Sequence, residues 1–173
     1  MGLNAESRAA IEAALEQEPG AVIEVLAENH GLTPADVIAC LPEEQAKTVD
    51  GHLFETVMGE IAGWGEVTFI VNTPDLIFEA KGEVPKGKTA RGYYNLFGKP
   101  IGGHLKGENC ASISFVSRKL FTSDTHSVQF YNKNGDCMFK IYLGRDEARN
   151  LIPEQVAMFT ECRDRLLTGN PIH

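Results

Sequence analysis

The chain has 173 residues, enough for one domain that buries a sizeable core without disulfide or metal staples. Its formal net charge of −8 argues against general attraction to nucleic acid or anionic lipid, and 43% apolar content is ordinary for a globular chain. No apolar run approaches the ~20 residues of a membrane-spanning helix.

The opening "MGLNAESRAAIEAALEQE" lacks a basic flank before a continuous apolar stretch. It reads as an amphipathic helix with Ile11, Ala14 and Leu15 on one face, not as a secretory signal, so a cytoplasmic location is the default expectation. A second helix is expected over about Ala21–Asn29, closed by His30 and Gly31. "LTPADVIACLP" then offers Thr33 as N-cap, Pro34 at the first helical position and Asp36 in the first turn, with Pro42 as a stop. Phe54, Val57, Met58, Ile61 and Trp64 mark the stripe of another helix.

From Gly65 the apolar pattern shortens. "EVTFIVNT", "DLIFEAKGEV", "ASISFVSRKLF", "HSVQFYN" and "CMFKIYLG" read as strands, and the Asn-Gly of "NKNGD" marks a hairpin. "LIPEQVAMFTECRDRLL" supplies a closing helix starting near Pro153, with Asp146 and Glu147 read as its capping acids. The expected architecture is a single α+β domain over 1–173: helices in 1–64, a large antiparallel sheet in 65–145 and a C-terminal helix in 146–173.

Cys40, Cys110, Cys137 and Cys162 are scattered and form no C-x-x-C pair, which argues for reduced thiols and against structural zinc. No nucleophile elbow, H-E-x-x-H, phosphate-binding loop or dinucleotide fingerprint is present. "AVIEVLAENHGLTPADVIACLP" has the outline of a helix-turn-helix, yet Ala21–Gln45 contains no Lys or Arg to meet phosphate. A DNA-binding regulator is therefore a minor alternative.

The unusual stretch is "RGYYNLFGKPIGGHLKGENC". It lies within Lys81–Lys119, where eight cations face two acids; that net +6 leaves −14 for the rest of a chain totalling −8. A local basic field in an acidic protein suits one small anion. His104 follows Gly102 and Gly103, so a flat ligand has room beside the imidazole. Imidazole and tyrosinate both ligate haem iron, and Tyr93 and Tyr94, adjacent in an extended segment, point to opposite faces. Lys86, Lys88, Arg91 and Lys106 are candidates for the propionates. Phe97, Phe115 and Phe130 are candidate pocket walls or core. His30, His52, His126 and the terminal His173 carry no comparable signal.

"ARGYYNLFGKPIGGHLKGENC", with "KIYLGRDEARNLIPEQVAMF" downstream and "GWGEVTFIV" upstream, resembles the HutX/ChuX family of intracellular haem-utilisation proteins. The resemblance runs in order from the early helices to about Phe159. It implies a fold like one half of the larger HemS-type haem carriers, a homodimer, and cytoplasmic haem binding after uptake for iron acquisition in Gram-negative bacteria. It also implies delivery to a downstream acceptor, with no membrane insertion, and makes His104 of the G-H-[LI]-K block the iron ligand. Some members carry a histidine where this chain has Asn72 in "VNTPDL", so a bis-histidine site at that pair is not expected. The expected function is a non-catalytic haem carrier, with a haem-degrading enzyme as the alternative.

Overall fold

The structure is a computed structural model describing residues 2–169; His173 lies outside the described residues. Helices α1 (Ala5–Gln17), α2 (Ile23–His30) and α3 (Pro34–Ile38) open the chain. The Asn4 and Ser7 side chains cap α1 reciprocally, and Thr33 and Asp36 do the same for α3 with Pro34 at its first turn. Gly31, at φ 63°, closes α2 in the left-handed conformation the sequence predicts there.

Within the expected helical region 1–64, β1 (Ala46–Asp50) is a strand. Its sequence, AKTVD, has two β-branched residues, Thr48 and Val49, and no clear alternation; it is extended because it pairs antiparallel with the long β7 (Cys110–Leu120). Tertiary pairing decides that element, not local preference. A 3₁₀ turn over Gly51–Leu53 leads into α4 (Phe54–Ile61).

β2 (Glu66–Asn72), β3 (Ile77–Glu83), β8 (Ser123–Asn132) and β9 (Cys137–Tyr142) complete a six-stranded antiparallel sheet of order β1-β7-β8-β9-β2-β3. Gly135, at φ 84°, makes the β8–β9 hairpin turn. Three short strands unforeseen as a separate sheet, β4 (Lys88–Ala90), β5 (Tyr93–Leu96) and β6 (Gly103–Leu105), form a second sheet in that order. The final helix α5 (Pro153–Leu167) starts at Pro153, as the sequence predicts. Asp146 does not cap it: its carboxylate accepts from Asn150 N at 2.9 Å inside an intervening loop. Ile152 at the N-cap makes no side-chain capping bond, and Gln155 ties the helix to the sheet through Gly144 N and Glu66 O, each at 2.7 Å.

Opposed residues of antiparallel strands share a face. One row runs Phe115, Val128, Ile141, Phe69 across the large sheet, and a parallel row runs Ile113, Phe130, Phe139. This face meets α4, α5 and the small sheet in the main core. Phe115 and Phe130 are fully buried there, so of the two readings given for them they are core and not pocket walls; Phe97 is 77% exposed. The other face carries Val116 and Tyr131 beneath α1, α2 and α3, so the helix-turn-helix outline is a packed hairpin of helices. Val25 of α2 is exposed.

Phe54 joins the layers. Its ring meets Tyr94 of the small sheet at 5.6 Å and Phe130 and Phe139 of the large sheet at 5.5 and 6.1 Å, all edge-on. Gly107 lies so close that an added Cβ would stand 2.7 Å from the Phe54 ring. Phe54→Ala should lower stability by about 3–5 kcal/mol in urea unfolding; a loss below about 1 kcal/mol would show that the small sheet does not depend on this contact.

Candidate functional site

The hairpin order β4-β5-β6 places residues far apart in sequence in one row. Lys88 pairs with Asn95 and Asn95 with His104, so all three share the outer face of the small sheet. Tyr93 and Lys106 lie on that face too, the Lys106 ammonium 5.3 Å from the centre of the Tyr93 ring. The inner face carries Tyr94 and Leu96 into the core.

Asn95 organises the outer face. Its amide nitrogen donates to the carbonyls of Lys88 at 3.1 Å, Ala90 at 3.2 Å and Tyr93 at 3.0 Å. Three acceptors around that atom leave the amide one orientation, with Oδ1 aimed outward. That oxygen lies 2.6 Å from His104 Nδ1. An amide oxygen only accepts, so Nδ1 carries the proton and the Nε2 lone pair of the neutral ring is free. The ring is exposed. Gly103, at φ 142°, has open space where a Cβ would project, which keeps the approach to His104 clear. Gly102 has another role: a Cβ there would meet Gly98 O at 2.7 Å, so its missing side chain closes the loop.

The two tyrosines separate as alternation predicts. Tyr93 is 38% exposed and stands edge-on to His104, ring centres 6.0 Å apart. Tyr94 is 4% exposed; its hydroxyl accepts from Gly87 N at 3.1 Å, and burial pushes its phenol above the ordinary range. Tyr93 thus shares the outer face with His104, and Tyr94 belongs to the core.

Arg91 and Gly92 turn the β4–β5 hairpin at φ 56° and 79°, the two-residue turn that favours Asn-Gly or Gly-Gly. An arginine there carries conformational strain, a feature that often accompanies functional positions. Lys86 is not part of the outer row; it lines a separate cleft of about 470 Å³ with Glu83, Pro85 and Lys99. Asn72 sits at the end of β2 opposite Ile77, in the large sheet, while His104 is in the small one.

Cys110 and Cys162 are buried and Cys137 is half-buried. Burial pushes the Cys110 thiol to about 11 and those of Cys137 and Cys162 to about 12. His126 Nδ1 lies 2.7 Å from Ser117 Oγ, and burial lowers the pKa of its imidazole. Among the described residues no group of three or more His, Cys, Asp or Glu side chains is arranged for a bare metal ion.

Comparison with known proteins agrees with this arrangement of elements. The profile of the haem utilisation ChuX/HutX family matches residues 47–162. This chain belongs to the ChuX/HutX family. The intracellular heme transport protein HutX of Vibrio cholerae serotype O1 is 45% identical over 147 residues, 84% of this chain and 76% of its own. The solved heme binding protein ChuX is 40% identical, with a TM-score of 0.83 over 91% of this chain and 99% of that one. The heme degrading enzyme ChuS of Escherichia coli O157:H7 is 17% identical, with a TM-score of 0.72 over 87% of this chain and 47% of its own. A ChuX/HutX chain thus has the fold of about half of that longer protein.

Asn95 escaped the sequence reading because its role appears only when β4, β5 and β6 come into register. Asn95→Ala should move neutral His104 toward the Nε2–H tautomer in ¹⁵N spectra and cost about 1–3 kcal/mol, since three carbonyls lose their donor. An unchanged tautomer would remove Asn95 from the site.

Proposed function

We propose that this protein captures haem as cargo, holds it on the outer face of the small sheet, and passes it on. The observation carrying this reading is the exposed His104 imidazole with Nδ1 committed to Asn95 and Nε2 free. A porphyrin supplies four nitrogens to its iron, so a single imidazole completes a stable complex where a bare ion would need several side chains. The names of the relatives, a heme transport and a heme binding protein, support the same reading.

Each neighbour has a physical task. His104 Nε2 is the iron ligand. Tyr93 presents its ring edge beside the imidazole, giving the porphyrin an aromatic wall and a phenol within reach of the iron region. Lys88 lies two strands from His104, about 10 Å away, a distance that suits a propionate. Lys106 and Arg91 supply further cations; Lys86 contributes only to the wider basic field. An open sheet face leaves the cargo accessible to an acceptor protein, so capture and release both proceed without unfolding the site. This carrier acts in the cytoplasm, where haem arrives after uptake for iron acquisition. It works as a homodimer, an arrangement suited to a fold that matches half of a longer chain. Sedimentation should give twice the 18.9 kDa chain mass; a monomer at micromolar concentration would refute the dimer.

A haem-degrading activity gains no support, because the ChuS likeness is one of fold alone. A DNA-binding role fares no better, with α2 and α3 packed on the sheet and free of Lys and Arg. Titration of the full chain with haemin should give a saturable Soret shift. His104→Ala should weaken binding by about tenfold or more and change the band shape. No saturable shift for the native protein would overturn the reading, and an unaltered His104→Ala complex would overturn the ligand assignment.

A further inference from the structure

A second imidazole lines a cleft with the same tyrosine. His52 stands in the 3₁₀ turn before α4, its side chain 74% exposed. Its backbone N–H donates to Asp50 Oδ1 at 2.8 Å, and its Nδ1 lies 2.7 Å from the same oxygen. An ionised carboxylate only accepts, so Nδ1 is protonated and, in the neutral ring, Nε2 is free. This is the carboxylate–imidazole pairing that orients metal-ligating histidines.

His52 and Tyr93 line one cleft of about 390 Å³, with Phe54 and Tyr94 also in its walls and Gly51, Gly92 and Gly107 contributing no side-chain bulk. Tyr93 therefore belongs to two surroundings at once: its ring is 6.0 Å from His104 and it forms part of the cleft that holds His52. Each imidazole has its Nδ1 committed, His104 to a neutral amide and His52 to a carboxylate. The cleft does not suit a bare divalent cation, since no group of three or more ligating side chains occurs among the described residues. A porphyrin iron needs only one such donor.

We propose that this cleft is a second ligation site for haem iron, with His52 as ligand and Asp50 as its positioning residue, so that haem is held at either of two imidazoles bordering Tyr93. The inference rests on the haem-binding reading above. Glu55 and Glu108 on the cleft walls repel carboxylates, so the propionates point outward, toward the rim at the Arg91–Gly92 turn. The two sites differ in electronic character. The Asp50 carboxylate makes the His52 imidazole the more electron-rich ligand and favours ferric over ferrous iron there, relative to His104. Two sites of unequal preference let the iron change ligand as it arrives or departs.

The test uses the full chain and haemin, comparing the native protein with His104→Ala, His52→Ala and the double variant. His104→Ala should retain an imidazole-type complex, and adding His52→Ala should weaken it by about tenfold or more and abolish that spectrum. In the His104→Ala background, Asp50→Asn should raise the ferric–ferrous midpoint potential, a change that loss of a purely structural contact would not produce. His52→Gln, which keeps a polar side chain at this exposed position, should reproduce the effect of His52→Ala with an unchanged circular dichroism spectrum. If the double variant matches His104→Ala in affinity and spectrum, the second site falls while the haem reading stands. If the native protein gives no saturable complex, both fall.

Discussion

The site depends on how one amide is held. Asn95 faces three backbone carbonyls, two from β4 and one from its own strand, and their arrangement permits a single orientation of its side chain. Because the amide oxygen is then committed outward, the His104 ring has one tautomer and one free lone pair. Backbone geometry is in this way converted into a defined imidazole tautomer on the neighbouring strand. The same bonds hold the three short strands in register, so the structural and chemical roles of Asn95 are inseparable.

A three-stranded sheet of such short strands is not stable alone. It is anchored through its inner face, where Tyr94 and Leu96 enter the core that Phe54 shares with Phe130 and Phe139. The core therefore ends where the proposed ligand surface begins, and alternation along β5 separates the inner from the outer face residue by residue. Tyr94 faces inward with its hydroxyl bonded to Gly87 N, and Tyr93 faces outward beside His104. Both clefts flank this sheet, one along the 3₁₀ turn and one along the β3–β4 connection. A basic segment in an acidic chain thus becomes a localised surface, with Lys88 and Lys106 on the His104 face and Arg91 at its edge.

Much of this is readable from the sequence, for reasons that are local. The α4 stripe, the Thr33 cap, the Gly31 stop and the Asn134–Gly135 hairpin each depend on residues within a few positions, and all appear as expected. The fold class and family follow from long ordered blocks of sequence. β1 is different, since AKTVD becomes a strand only by pairing with β7, more than sixty residues onward. Asp146 misleads because an acid near a helix start resembles a cap, whereas its partner is Asn150 in a loop. At the site, His104 stands out by its glycines, but Asn95 and the His52–Asp50 pair do not. Their meaning is set by register and by a cleft between distant segments, which no linear spacing encodes.

The most direct measurement is a crystal structure of the protein loaded with haem. The account predicts iron bonded to His104 Nε2 on the outer face of the small sheet, with Nδ1 still hydrogen-bonded to Asn95 and the propionates directed toward Lys88, Arg91 or Lys106. Iron bound on the large sheet, or a His104 ring turned away from the porphyrin with no imidazole on the metal, would contradict it.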